Sequence, residues 1–218
     1  MDKPPYCVVG LTGLPSSGKG EVSNALIEAA HEFGWKVEHL SFSDRIKEEA
    51  ARRGIPKEQF DRELLSQIGI EMRQAEGPGV LSARLVQKIR TWPAPKPELF
   101  IVEALRHDGE VDVMRDAFGV RFVLIAVEAE PREIARRLIA RSRPDESPDA
   151  LKSEDHAVQL LERELNGQQS DLGPNVGRCM ARADVQLPNH GTLMDLQRSV
   201  RELFESIRIH MGPPSADA

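Results

Sequence analysis

A glycine-rich stretch near the beginning of the sequence carries the residues best suited to chemistry. Residues 13–20 read GLPSSGKG and fit the pattern Gly-x-x-x-x-Gly-Lys. Gly13 and Gly18 allow backbone conformations that turn successive N–H groups toward one anion, and Lys19 adds a mobile positive charge. The pattern predicts a loop that binds the phosphates of ATP, with Lys19 on the β- and γ-phosphates. The alternative is a tight turn that carries an exposed lysine.

The residues after the lysine depart from the common form of such a loop. A serine or threonine usually follows, and its hydroxyl meets Mg²⁺. Here Gly20 and Glu21 follow instead. We therefore expect Mg²⁺ to be held through water or by an acid elsewhere in the chain. The residues predicted to contact the nucleotide in this loop are Gly13, Pro15, Ser16, Ser17, Gly18, Lys19, Gly20 and Glu21.

The segments on either side of the loop have the patterns that such a loop needs. Residues 6–12 (YCVVGLT) form a short apolar run rich in β-forming residues, which fits a buried parallel strand. After the loop, apolar residues recur at three- and four-residue spacing, which predicts a helix. They are Val22, Ala25, Leu26 and Ala29.

The rest of the chain alternates strand-like and helix-like segments. Further strands are predicted at residues 36–42, 99–102, 121–127 and 184–187. We expect Ser43 to cap the helix after the second strand, and Phe60 to belong to the next helix together with Leu64, Ile68 and Met72. A last helix is marked by Leu193, Leu196, Val200, Leu203 and Ile207. This alternation predicts a three-layer α/β sandwich around a parallel five-stranded sheet.

The length of the chain limits the number of domains it can form. A chain of 218 residues suits one α/β domain with a sizeable core better than two domains. We expect one domain over residues 1–211, with a helical acceptor-binding insertion at about 43–92 and a lid at about 137–167. Residues 212–218 are expected to be a disordered tail.

Composition argues against several classes of partner. The formal net charge is −6, whereas a protein that binds duplex nucleic acid usually has a basic surface, so the charge argues against that partner. No apolar run approaches the ~18 residues that span a bilayer, and no signal peptide is visible, so we expect no membrane partner and a cytoplasmic location. Cys7 and Cys179 are expected to be reduced, buried thiols. The zinc-deaminase signature is absent from the sequence.

Several motifs together resemble one superfamily. Besides the loop they are Ser43-Asp44 with the helix that follows, residues 76–81 (EGPGVL), residues 103–106 (EALR), and residues 183–191. The chain resembles the dephospho-CoA kinase and nucleoside monophosphate kinase group, and most of all an archaeal-type nucleotide-kinase-like family. It is also similar to the kinase-like N-terminal region of fungal deoxycytidylate deaminases. The resemblance implies transfer of a phosphoryl group from ATP, with Mg²⁺, to a small nucleotide or nucleotide-like acceptor.

The same resemblance implies roles for individual residues. Asp44, after the second strand, would approach the acceptor and the metal; the alternative is that it caps its helix. Glu103, where related sequences often have aspartate, would order the water around Mg²⁺; the alternative is a structural salt bridge. Arg106 matches an arginine that grips the acceptor's phosphate, which a planar guanidinium suits.

Two further regions are implied to close the site. Arg137 and Arg141 would come from the lid and cover the transferred group, or else lie on a solvated basic helix face. Asn189 lies in a segment similar to the loop that contacts adenine in dephospho-CoA kinases. The competing account for this segment is a turn before a helix, with Thr192 as the cap.

Two other functions stay open at this stage. One is a nucleotide-binding ATPase or regulatory module without small-molecule kinase activity, which the missing hydroxyl after Lys19 and the glutamate at position 103 would suit. The other is a kinase acting on nucleic acid, which would need a local basic groove.

Overall fold

The computed structural model of the protein describes residues 6–141, 153–166 and 171–211. Five strands form one parallel sheet in the order β2-β3-β1-β4-β5. The strands are β1 (Cys7–Thr12), β2 (Val37–Ser41), β3 (Leu99–Leu105), β4 (Phe122–Glu128) and β5 (Val185–Pro188). The helices among the described residues are α1 (Lys19–Glu32), α2 (Phe42–Arg52), α3 (Arg62–Glu76), α4 (Val80–Arg90), α5 (Asp108–Phe118), α6 (Pro131–Arg141), α7 (Glu154–Asn166), α8 (Val176–Ala181) and α9 (Leu193–Met211).

Helices cover both faces of the sheet. On one face Phe100 and Val102 pack with residues of α2 to α5, and on the other Val9 and Ile101 pack with α1 and α9. All six residues of β1 are buried, because a central parallel strand is covered on both sides. The predicted three-layer α/β sandwich with a parallel five-stranded sheet is confirmed.

A third, smaller core lies under the glycine-rich loop. Leu14 of the loop packs with α6, α7 and α8 through Ile134, Leu161 and Val176. The loop is therefore supported from below by helices that come much later in the chain. This contact fixes the loop against the segment that was predicted to form a lid.

Two predictions around β2 and β3 are wrong in detail. Ser41, rather than Ser43, caps α2: its hydroxyl accepts a hydrogen bond from Ser43 N at 3.2 Å, because Ser41 is the extended residue before the first helical turn. β3 continues past Val102 to Leu105, so Glu103 belongs to the strand instead of following it. A register shift opposite β3 and a positive φ of 76° at Ala104 allow this extension.

Other predictions miss by a few residues. Phe60 precedes α3, although it packs against the same core as Ile68 and Met72. Helix α8 was not predicted, because it has only six residues and little apolar periodicity; the Asn175 side chain caps it. Leu193 does not face the core, since 52% of its surface is exposed at the beginning of α9.

Both cysteines are buried free thiols, as expected, and burial raises the pKa of Cys7 to about 12. Among the described residues no helix is long and apolar enough to cross a membrane. The predicted tail at residues 212–218 and the middle of the predicted lid, residues 142–152, lie outside the described residues.

Candidate functional site

The loop between β1 and α1 has the backbone that phosphate binding requires. Gly13 has a φ of 139°, and a Cβ atom there would lie 2.6 Å from the carbonyl oxygen of Val127 at the end of β4. Ser16 and Gly18 also have positive φ values, 58° and 105°. Alternation of this kind turns main-chain N–H groups toward one side and creates a concave nest for an anion.

Lys19, the first residue of α1, curls back over this loop. Only 8% of its surface is exposed, and its Nζ donates hydrogen bonds to Gly13 O at 2.9 Å and Leu14 O at 2.8 Å. Burying an ammonium group is costly unless it is paired. The lysine is thus not the exposed side chain of a simple turn, and it holds a positive charge against the loop.

Two hydroxyl groups of the loop are buried and unsatisfied. The Oγ atoms of Ser16 and Ser17 have no hydrogen-bond partner within the described part of the chain, and Ser17 is fully buried. Buried polar atoms without partners are uncommon and call for an explanation. Phosphate oxygens would accept from both hydroxyls.

The other predicted loop residues lie around this nest. Pro15 and Gly18 are half-buried. Gly20 and Glu21 belong to the first turn of α1 and are exposed. Apart from its neighbours in α1, no atom of the described residues lies within 4 Å of the position that a Cβ of Gly20 would take, so the place of the usual hydroxyl is open.

An acid and a histidine meet beside the lysine. His39 Nε2 on β2 lies 3.0 Å from Glu103 Oε2 on β3. The hydrogen bond to Glu103 raises the pKa of His39, to which the charge of Asp44 adds. The hydrogen bond from His39 lowers the pKa of Glu103, and the positive charges of Lys19 and Arg106 lower it further.

Asp44 occupies the first turn of α2 and is exposed. It is not the cap of this helix, because Ser41 has that role. Its charge affects His39, so Asp44, His39 and Glu103 share one edge of the site. Among the described residues no group of three or more acids, histidines or cysteines has the geometry of a metal-binding cluster.

Arg106 lies in the connection between β3 and α5, where its main chain is fixed on both sides. Its N–H donates to Glu110 Oε2 at 2.9 Å, and its carbonyl accepts from Asn175 N at 2.6 Å. Glu110 is fully buried and forms an ion pair with the buried Arg73 of α3, at 2.7 Å. The neighbouring His107 donates from Nε2 to Asp171 O at 2.8 Å.

The predicted lid and adenine segment meet above the loop. Arg137 Nη2 lies 2.5 Å from Glu133 Oε1 and 3.4 Å from Asn189 O. The amide group of Asn189 donates to Ser17 O at 2.7 Å. Arg141 ends α6, and its side chain lies outside the described residues. The predicted cap of α9 is present, since Asp195 N donates to Thr192 Oγ1 at 3.2 Å.

Sequence reasoning missed several members of this site. His39 could have been found, because strand alternation places it on the same face as Ser41, which pairs with Glu103 across the sheet. The Arg73–Glu110 pair had no such signal, since the two residues belong to helices that the sequence does not relate.

The fold and the loop together define a P-loop protein with a kinase-like fold. The chain belongs to the family described as an AAA domain, whose model matches residues 12–152. It is 29% identical over 201 residues to a UPF0200 protein of Pyrococcus horikoshii, covering 92% of this chain and 97% of that protein. A UPF0200 protein of Methanothrix thermoacetophila is 28% identical over 200 residues, with shares of 92% and 97%.

Solved structures support the same fold. A gluconokinase from Sinorhizobium meliloti has a TM-score of 0.52 at 14% identity, covering 96% of this chain and 97% of that one. A shikimate kinase from Acinetobacter baumannii, in complex with shikimate, has a TM-score of 0.50 at 17% identity, with shares of 92% and 94%. At these identities the likeness concerns the fold. The predicted resemblance to P-loop kinases and to an archaeal family is confirmed; its extension to fungal deaminases stays a prediction.

Proposed function

We propose that this protein transfers the γ-phosphoryl group of ATP to a small acceptor, a nucleotide or a nucleotide-like molecule. The observation that carries the proposal is the loop of residues 13–20, with a buried Lys19 and two buried hydroxyls that lack partners among the residues the structure describes. A phosphate chain would satisfy the two hydroxyls and give the buried ammonium group of Lys19 a negatively charged partner. The names of the structural neighbours, a gluconokinase and a shikimate kinase, support a small acceptor.

On the ATP side, the loop amides and the N-terminus of α1 would hold the phosphates. Lys19 would exchange its two carbonyl partners, Gly13 O and Leu14 O, for oxygens of the β- and γ-phosphates. The hydroxyls of Ser16 and Ser17 would donate to further phosphate oxygens. The segment around Asn189 would lie beside the base.

The carboxylates of Glu103 and Asp44, at one edge of the site, would hold Mg²⁺ through water. Glu103 has a lowered pKa and is therefore ionised at neutral pH, but one of its oxygens is bonded to His39, so water between it and the metal suits the geometry. Asp44 is exposed and supplies a second carboxylate. Carboxylates and water are the ligands that Mg²⁺ prefers, and the ion would neutralise charge on the phosphates.

The acceptor would bind between this edge and the helices at about residues 43–92, within one domain that spans residues 1–211. Arg106 would bind a phosphate of the acceptor. Its main chain is held in place by the hydrogen bond from its N–H to Glu110. Arg137 and Arg141 of α6 would cover the transferred group, together with the rest of a lid at about 137–167. Catalysis would then consist of positioning and charge compensation, without a covalent intermediate.

One assay tests the proposal. The protein is incubated with ATP labelled at the γ-phosphate, Mg²⁺ and a panel of nucleosides, nucleoside monophosphates, dephospho-CoA and short oligonucleotides. A labelled small molecule, lost in the Lys19→Ala variant and kept in the matched Lys36→Ala variant, is the expected result. Lys36 is an exposed lysine that precedes β2, at the opposite end of this strand from the site, and serves as the control.

The two competing functions give different products in the same assay. Release of labelled phosphate alone would support a nucleotide-binding ATPase, which the pairing of Glu103 with His39 and the absence of a hydroxyl after Lys19 favour as the second candidate. A labelled oligonucleotide would support a kinase acting on nucleic acid. Turnover that is unchanged by Lys19→Ala would contradict the proposal as a whole.

A further inference from the structure

Asn189 lies where the end of the sheet meets the phosphate loop, a contact that the sequence does not reveal. The residue follows β5, and only 7% of its surface is exposed. Its main-chain N–H donates to Glu128 O at the end of β4, at 2.7 Å. Its side-chain Nδ2 donates to Ser17 O in the phosphate loop, also at 2.7 Å, across 172 residues of sequence. One residue therefore links the end of the sheet to the loop.

The hydrogen bond from Asn189 to Ser17 reaches the part of the loop where the backbone has positive φ angles on both sides. Ser17 lies between two residues with positive φ, Ser16 at 58° and Gly18 at 105°. Backbone in this region is costly for residues other than glycine and persists only where surrounding contacts hold it. The Asn189 amide also lies against Gly18, where an added Cβ would come within 2.2 Å of Nδ2.

The direction of the bond has a consequence for the next amide. In a trans peptide the C=O and N–H groups point in opposite directions. A Ser17 carbonyl held on Asn189 therefore aims the N–H of Gly18 away from Asn189. Without this anchor the 17–18 peptide could rotate and remove a donor from the nest.

We propose that Asn189 is a positioning residue of the phosphate loop, which fixes the Ser17–Gly18 peptide for the phosphate chain and does not select the base through its side chain. The inference rests on the proposed ATP site. It gives the side chain a role other than the adenine contact that the resemblance implied for this segment, because the side-chain donor already has a buried partner within the protein. Arg137, 3.4 Å from Asn189 O, would link the lid helix to the same junction.

The two roles predict different results with a ligand that has no base. We compare the affinities of ATP and of inorganic tripolyphosphate, both with Mg²⁺, for the full chain and for Asn189→Ala by calorimetry. If Asn189 positions the loop, both affinities fall by a similar factor, about tenfold for one buried hydrogen bond. Asn189→Leu, which matches the shape of the side chain without its donor, should give the same result and replaces the alanine variant if that one does not fold.

The control is Gln197→Ala, since Gln197 carries an exposed side-chain amide on α9, outside this segment, and should leave both affinities unchanged. A loss of ATP affinity with tripolyphosphate affinity intact would overturn the inference and assign the side chain to the base. Unchanged affinities for both ligands in folded variants would also overturn it. Failure of the proposed function is a separate result: neither ligand would then bind the unaltered protein, or Lys19→Ala would not weaken binding.

Discussion

At the scale of single residues, the pair of His39 and Glu103 gives the site its charge pattern. Its members come from neighbouring strands, and through a hydrogen bond of 3.0 Å each favours the charged form of the other. Lys19 and Arg106 add positive charge near Glu103. A negative carboxylate is thus favoured near two cations that are proposed to bind phosphates.

The pair should make stability depend on pH. The pKa of His39 is raised from 6.5, so its contribution is complete below that pH and is lost as the pH rises through the raised value. The pKa of Glu103 is lowered from 4.5, so its contribution is complete above that pH and is lost as the pH falls through the lowered value. The stabilisation is therefore greatest between about pH 4.5 and 6.5.

His39→Gln measures this contribution. Because both groups are partly exposed, we expect the variant to lose under ~1 kcal/mol of unfolding free energy at pH 5.5, and less at pH 8.5. Urea unfolding of both proteins at the two pH values checks the prediction. An equal difference at both pH values would show that the ion pair does not contribute as described.

At the scale of elements, the beginning of α2 determines where Asp44 lies. The cap at Ser41 starts the helix at Phe42 and so places Asp44 in the first turn, where a carboxylate also interacts favourably with the helix dipole. A cap at Ser43 would have put Asp44 at a different angle to the sheet edge.

Two serine variants separate these possibilities. Ser41→Ala should lower the unfolding free energy by ~1 kcal/mol, because the N–H of Ser43 loses its acceptor. Ser43→Ala, made at the position that the sequence pattern favoured, should have a smaller effect. Urea denaturation compares the two, and a larger loss for Ser43→Ala would contradict the capping assignment.

The buried pair of Arg73 and Glu110 joins α3 to α5 beneath Arg106. Arg73 is 4% exposed and Glu110 is not exposed, and Glu110 also accepts from the main-chain N–H groups of Arg106 and His107. A pair in this setting contributes little net energy when intact, but the loss of one partner leaves a buried charge without compensation.

Removal of one partner should therefore be severe. We expect Glu110→Leu to lower the unfolding free energy by ~3–5 kcal/mol, and the double variant Arg73→Met with Glu110→Leu to recover a large part of it. The exposed pair of Arg201 and Glu32 is the matched control: Arg201→Met should cost under ~1 kcal/mol. A double variant as unstable as the single one would contradict this account. The destabilisation would then come from the lost main-chain hydrogen bonds to Glu110 rather than from the uncompensated charge of Arg73.

At the scale of the whole molecule, the strand order brings the site together. β1 lies between β3 and β4, so the loop after β1 is flanked by Glu103 on one side and by the carbonyl of Val127 on the other. Ligands in open parallel sheets bind outside the carboxyl ends of the strands, where such loops converge. Residues that lie on or after each of the five strands thereby reach one edge of the sheet.

A ligand at this edge should stabilise the whole domain. At 100 times its dissociation constant, ATP should raise the unfolding free energy by about 2.7 kcal/mol, because it binds the folded state only. The shift should be absent in Lys19→Ala and present in Lys36→Ala, measured by urea unfolding with and without ATP and Mg²⁺. An equal shift in the Lys19 variant would indicate a nucleotide site elsewhere.

The sequence by itself determined the strand, loop and helix over residues 7–32 and the parallel α/β class. These features depend on local spacing, glycine conformation and periodic burial, which neighbouring residues encode directly. The resemblance to nucleotide kinases also pointed to the acid at position 103, although the strand that carries it is longer than its apolar run.

Only the tertiary structure decided which distant residues meet. His39 pairs with Glu103 across 64 residues, Arg73 with Glu110 across 37, and Asn189 with Ser17 across 172. Such partners depend on strand order, on register and on which helix faces which strand. These are set by the packing of the whole core, and a single sequence records no local signal for them.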